Sequence, residues 1–106
     1  MTQLKNIQEF GAIEIATFRL KDGISEEKML ELIKEVDKEF LQKENGFLGH
    51  STLKGKDNLY LDIAFATTQD KAEEICSKWM KNDLALNYLE LIDESSVDMS
   101  FWTRIK

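Results

Sequence analysis

The sequence predicts an α+β sandwich in the order β-α-β-β-α-β, a four-stranded antiparallel sheet with two helices on one face. Three observations carry this. Residues alternate with period two in Ala12 to Leu20, Leu59 to Thr67 and Val97 to Ile105, as half-buried strands do, and Phe47 to Lys54 before a tight reversal reads as a further strand. Between them lie two stretches whose apolar residues recur at helical spacing. The connections are short, and short connections with right-handed crossovers leave the split βαβ sandwich as the economical topology.

The strongest strand signal is Leu59 to Thr67. Leu59, Leu61, Ile63 and Phe65 fall on one face, and Tyr60, Asp62, Ala64 and Ala66 on the other. The second face combines small side chains with one carboxylate and one phenol, so a layer packed on it leaves room for a ligand. In the first strand, Ile13, Ile15 and Thr17 oppose Glu14, Ala16 and Phe18. Lys21-Asp22-Gly23 then turns the chain, and Ser25 is placed to cap a helix whose first turn carries Glu26 and Glu27. Met29, Leu32, Ile33, Val36, Phe40 and Leu41 form the buried stripe of that helix, and Asn45-Gly46 is its stop signal. Gly55 to Asn58 reverses the chain into a hairpin. Thr67 or Thr68 caps the second helix, which carries Ala72, Ile75, Cys76, Trp79 and Met80 inward, breaks near Asn82-Asp83 and restarts under an Asp83 cap. In the last strand, Val97, Met99, Phe101 and Thr103 oppose Asp98, Ser100, Trp102 and Arg104. Helices cover only one face of such a sheet. Because large apolar residues lie on both faces, the bare one is expected to pair with a second copy, giving a homodimer through the open sheet face.

With 106 residues and 42% hydrophobic content, the chain is expected to form a single domain over 12–106 after a short lead-in, 1–11, in which Leu4, Ile7 and Phe10 have helical spacing. The 14 basic and 20 acidic residues give a net charge of -6 with no basic stripe, which argues against nucleic acid or an anionic membrane as partner. One cysteine, no signal-peptide pattern and no apolar run of spanning length point to a reducing, cytoplasmic setting.

Asn45-Gly46-Phe47-Leu48-Gly49-His50 after a capped helix, Leu53-Lys54-Gly55-Lys56-Asp57, and Leu61-Asp62-Ile63 leading into Thr67-Thr68-Gln69-Asp70-Lys71-Ala72 together resemble the antibiotic biosynthesis monooxygenase-like proteins of the dimeric α+β barrel superfamily. The resemblance covers about residues 12 to 105. It implies a ferredoxin-like split βαβ sandwich that forms a dimeric α+β barrel, and it implies, as one activity of a varied group, cofactor-independent oxygenation of a small aromatic or quinol-type substrate. The haem-degrading branch uses an asparagine on strand one, a tryptophan on strand three and a histidine in the second helical region. Here strand one has no asparagine, the third strand ends Phe65-Ala66, and no histidine follows Leu59, so haem is not expected. Tyr60, Trp79, Tyr88 and Trp102 are the aromatic residues available to line a cavity in the manner of the polyketide oxygenases.

The residues offer their own chemistry. Glu14 and Asp62 fall on strands that the topology makes neighbours, where two carboxylates can push one pKa upward and supply a base. The structural alternative is ion pairing with Arg19, Arg104 or a lysine. His50, the only histidine, gains an orienting carboxylate if the hairpin pairs it with Asp62, whereas a slip of one residue places it opposite Ile63 on the other face. Trp79 and Phe101 fit a packed core. Tyr88 and Trp102 better suit a pocket wall, since each keeps a polar tip. Cys76, in an apolar stripe without a neighbouring cation, reads as an inert thiol, and a single histidine and cysteine provide no metal-ligand spacing. No cofactor is expected. The functional readings are therefore a small cofactor-independent monooxygenase, a non-enzymatic binder of a small aromatic metabolite, or a structural dimer with a packed interior.

Overall fold

A computed structural model of the chain describes residues 9–106, so Leu4 and Ile7 of the lead-in lie outside the described residues. Four strands, β1 (Ala12–Phe18), β2 (Phe47–Lys54), β3 (Tyr60–Ala66) and β4 (Asp98–Thr103), form one antiparallel sheet in the order β2-β3-β1-β4. Three helices, α1 (Glu26–Glu39), α2 (Gln69–Lys78) and α3 (Asp83–Leu89), complete the β-α-β-β-α-β order, with the second helical region divided in two by a 3-10 turn at Trp79–Lys81. This is the split βαβ topology that the periodicity requires.

The caps explain the helix boundaries. Ser25 accepts from the Lys28 N–H and Thr68 from the Lys71 N–H, each satisfying a donor that a helix start leaves open. Asn82, not Asp83, caps α3, its side chain accepting from the Ala85 N–H at 3.0 Å. Asp83 instead lies inside the first turn, where its charge favours the helix dipole. α1 ends at Glu39, and a 3-10 turn at Leu41–Lys43 carries the chain to Gly46, whose φ of +89° lies in the region that glycine tolerates best. The β2-β3 reversal holds Asp57 and Asn58 at φ 55° and 59°, the primed turn whose twist matches a hairpin.

The core lies between the helices and one sheet face. Phe18 and Tyr60 from the sheet meet Met29, Ile33, Val36, Phe40, Ala85 and Tyr88 from the helical layer. On that face the strands also present Glu14, Ala16, Asp62 and Ala64. The opposite face carries Ile13, Ile15, Leu61, Ile63 and Phe65, all half-buried, with Trp102 across from Ile13. Ring contacts extend this face, with Phe10 edge-on to Phe65 at 5.4 Å.

One irregularity decides where the only histidine points. Phe47 pairs with Ala66 but Gly49 pairs with Phe65, so β2 contains one extra residue against β3. Strict alternation from Phe47 would send His50 to the open face. The bulge reverses the parity, so Phe47 and His50 both face the helices, and His50 lies across from Ala64. The pairing is thus neither with Asp62 nor with Ile63. His50 is on Asp62's face as its diagonal neighbour, within reach of a long side chain.

Candidate functional site

A cavity of about 310 Å³ opens between the sheet and the second helical region, at the small end of the range for ligand sites. Its floor is the small-residue face of the sheet, Ala16, Ala64 and Ala66, on which Glu14 and Asp62 stand, with His50 beside them. Trp79, Tyr88, Leu89, Ile75 and Phe18 form the walls. Met80, Val97 and Met99, exposed at 67%, 47% and 47%, mark its mouth between the α2 end and edge strand β4. Alanines make this space because a sheet surface without large side chains leaves a gap beneath a helix that is held off by Trp79 and Tyr88.

The polar groups are concentrated at one end. His50 is only 2% exposed. Its Nδ1 lies 3.1 Å from Asp37 Oδ1 and its Nε2 3.4 Å from Asp62 Oδ1, though neither N–H aims squarely at its oxygen. Burial alone would pull the imidazole down, but the contacts to Asp37 and then Asp62 outweigh it and push His50 up to about 10. His50 is therefore an imidazolium at neutral pH, clamped between two carboxylates. Asp62 also accepts from the Thr52 hydroxyl at 2.6 Å and from the Tyr88 hydroxyl at 2.9 Å, so both its oxygens are occupied. Burial, then the Asp62 charge, raise the Tyr88 phenol and keep it a donor.

Glu14 is situated differently. Burial raises its pKa above 4.5, and the Cys76 thiol and the His50 charge only partly offset that. Asp62 adds a smaller upward push, the effect expected for two carboxylates on adjacent strands. Cys76, half-buried on the cavity wall, is itself pushed up to about 12 by burial and by Glu14, so its thiol stays protonated and unreactive.

The structure brings His50, Asp62, Glu14, Tyr88 and Trp79 together around one cavity. Two aromatic residues fall elsewhere. Tyr60 shares the helix-facing side of β3, but it stacks on Phe18 and donates to Glu26 Oε1 at 2.9 Å, so its hydroxyl is held at the start of α1 and the residue is not part of the cavity lining. Trp102 lies on the opposite face of the sheet from the cavity, 57% exposed, its indole N–H donating to Ser100 Oγ. Alternation puts it there, since Phe101 and Met99 take the cavity side. Asp37 was missed in the sequence reading. Its signal was present: it stands four residues after Ile33 and eight after Met29, inside the apolar stripe of α1, where an acid must have a partner. Among the described residues no group of three His, Cys, Asp or Glu side chains is arranged to hold a metal ion, and no helix is long and apolar enough to cross a membrane.

No protein-family model matches the sequence, and no curated protein matches it at a significant level. Solved structures do match. SnoaB, a cofactor-independent oxygenase from Streptomyces nogalater, aligns over 92% of this chain and 95% of its own, with 15% identity and a TM-score of 0.69. A monooxygenase from the gene ActVA-Orf6 of Streptomyces coelicolor, solved in complex with nanaomycin D, aligns over 95% of both chains with 15% identity and a TM-score of 0.73. A ferredoxin-fold protein from Listeria monocytogenes, related to antibiotic biosynthesis monooxygenases, aligns over 100% of this chain and 62% of its own, with 13% identity and a TM-score of 0.73. The chain thus has the ferredoxin-like α+β fold of the antibiotic biosynthesis monooxygenase-like proteins.

Proposed function

We propose that the protein is a cofactor-independent monooxygenase of a small aromatic, quinol-type substrate, bound in the cavity between the sheet and the second helical region. The observation that carries this is the meeting of a desolvated carboxylate, Glu14, with a fixed imidazolium, His50, at one end of an otherwise apolar cavity. A base with a raised pKa is suited to taking a proton from a weakly acidic O–H, and a buried cation beside it favours the anion that forms. An electron-rich anion of this kind reduces dioxygen itself. The substrate supplies all four electrons, two as a ring C–H becomes C–O and two as the quinol becomes the quinone, so one oxygen atom enters the ring and the other leaves as water.

His50 takes a different role from the one its residue type first implies. Already protonated, it cannot accept the substrate proton; it provides charge, and Glu14 provides the base. Asp62, which accepts from the Thr52 and Tyr88 hydroxyls and lies 3.4 Å from His50 Nε2, holds Tyr88 in place and faces the imidazolium with its charge. Trp79 and Tyr88 would hold the flat ring.

A second copy of the chain, placed sheet to sheet, would cover Ile13, Ile15, Ile63 and Phe65 and give Trp102 an apolar environment, completing a dimeric barrel of two 12–106 domains. A cytoplasmic location fits the lone thiol of Cys76. The test is oxygen uptake by the purified protein with 1,4-dihydroxynaphthalene in the presence of a chelator, measured above the rate of uncatalysed oxidation. Uptake is expected and should be lost in Glu14→Gln. Binding without uptake would instead establish the non-enzymatic carrier.

A further inference from the structure

The charges around the cavity restrict the form in which a ligand can enter it. Glu14 and Asp62 line it, and Asp37 lies directly behind His50. Three carboxylates thus face one imidazolium, whose two nitrogens lie 3.1 Å and 3.4 Å from the nearest oxygens of Asp37 and Asp62. No lysine or arginine is among the described residues that line the cavity. The remaining surface is almost wholly apolar, from Ala16, Ala64, Phe18, Trp79 and Leu89.

From this we infer that the cavity takes its ligand only as an uncharged aromatic bearing an O–H donor, rejects aromatic anions of the same size, and generates the anion inside. This rests on the proposed reading of the site and narrows its substrate class. A ligand that arrives as a carboxylate adds a fourth negative charge to a site where one imidazolium already faces three, and in a low-dielectric cavity that cost is not screened. A neutral phenol adds none. When Glu14 is ionised, the ligand O–H bond breaks, a Glu14 O–H bond forms, and the negative charge moves from the carboxylate to the ligand oxygen. The number of charges in the cavity is the same before and after, so ionisation inside is open where entry as an anion is closed. The burial that raises Glu14 brings its proton affinity closer to that of a phenol and acts in the same direction. Substrate capture should therefore follow the neutral fraction of the ligand and weaken once the pH exceeds the ligand's own pKa.

Isothermal titration calorimetry with two probes of matched ring size, 2-naphthol and 2-naphthoate, tests this on the wild-type protein at pH 7. The expected result is binding of 2-naphthol, with 2-naphthoate weaker by at least about 30-fold, and a narrower gap in Glu14→Gln, where one of the repelling charges is gone. Naphthoate bound as tightly as naphthol, or more tightly, would overturn the charge filter and leave the cavity standing as a ligand site. If neither probe binds, both the filter and the proposed site fall. The wild-type comparison decides the matter even if Glu14→Gln does not fold.

Discussion

Replacing Asp37 by asparagine should change both the charge of His50 and the stability of the fold. In the native protein the imidazole is 2% exposed, touches Asp37 at 3.1 Å and Asp62 at 3.4 Å, and is pushed up to about 10 from an ordinary 6.5. At about 1.4 kcal/mol per tenfold change in proton affinity, that separation caps the linked stabilisation at roughly 5 kcal/mol. A folded-state value raised above the unfolded one stabilises fully below the unfolded pKa. The contribution is therefore complete below pH 6.5 and disappears as the pH rises from 6.5 towards 10. Asp37→Asn removes the nearer of the two partners and leaves a buried cation with one, so a loss of about 3 kcal/mol is expected at pH 6, with a smaller loss at pH 9. His50 is the only histidine, so in a tag-free protein the imidazole resonances in a nitrogen-15 correlation spectrum report it without overlap. The wild type should show imidazolium shifts unchanged from pH 5 to 8, and the variant should titrate at least one pH unit lower than the wild type. A wild-type His50 that titrates near 6.5, or a variant as stable as the wild type at pH 6, would refute the clamp.

Other outcomes follow from the same geometry. Tyr88→Phe keeps the ring but removes the hydroxyl that donates to Asp62 at 2.9 Å, and should cost about 1–2 kcal/mol in urea unfolding. Gly46→Ala places a side chain at φ +89°, with the Lys71 stem 2.8 Å from the new Cβ, and should lower stability by about 1–2 kcal/mol. Light scattering should find the wild type as the proposed dimer and Ile63→Lys, in the middle of the open sheet face, as a monomer. If Glu14 is the base, kcat/KM for a neutral phenol should rise with pH through a midpoint above 4.5, the direction in which burial moves this group.

The layout of the fold was legible because its signals are local. Ser25 and Thr68 cap their helices, alternation assigns every β1 and β3 residue to its observed face, and the order of elements leaves few topologies. The site was legible only in part. Glu14 and Asp62 could be paired because strand neighbours follow from topology. The side on which His50 falls could not be obtained from alternation, since it depends on one extra residue in β2, and a bulge at Leu48 has no marker stronger than the adjacent Gly49. Asp37 was marked locally by its place in the apolar stripe of α1, but its partner His50 lies on a strand whose facing the bulge decides, so the pairing itself could not be read. Trp102 and Tyr60 show the limit of reasoning by residue type, for both have the polar tips of pocket aromatics and both are claimed by other surfaces.

The central claim is that Glu14 meets the ligand oxygen inside the cavity. A crystal structure of the protein with 2-naphthol tests it most directly. The ring should lie between the alanine floor and Trp79, with its oxygen within hydrogen-bond distance of Glu14. A ring seated on the open sheet face, or one in the cavity with its oxygen turned out to the Met80 and Met99 mouth, would contradict it.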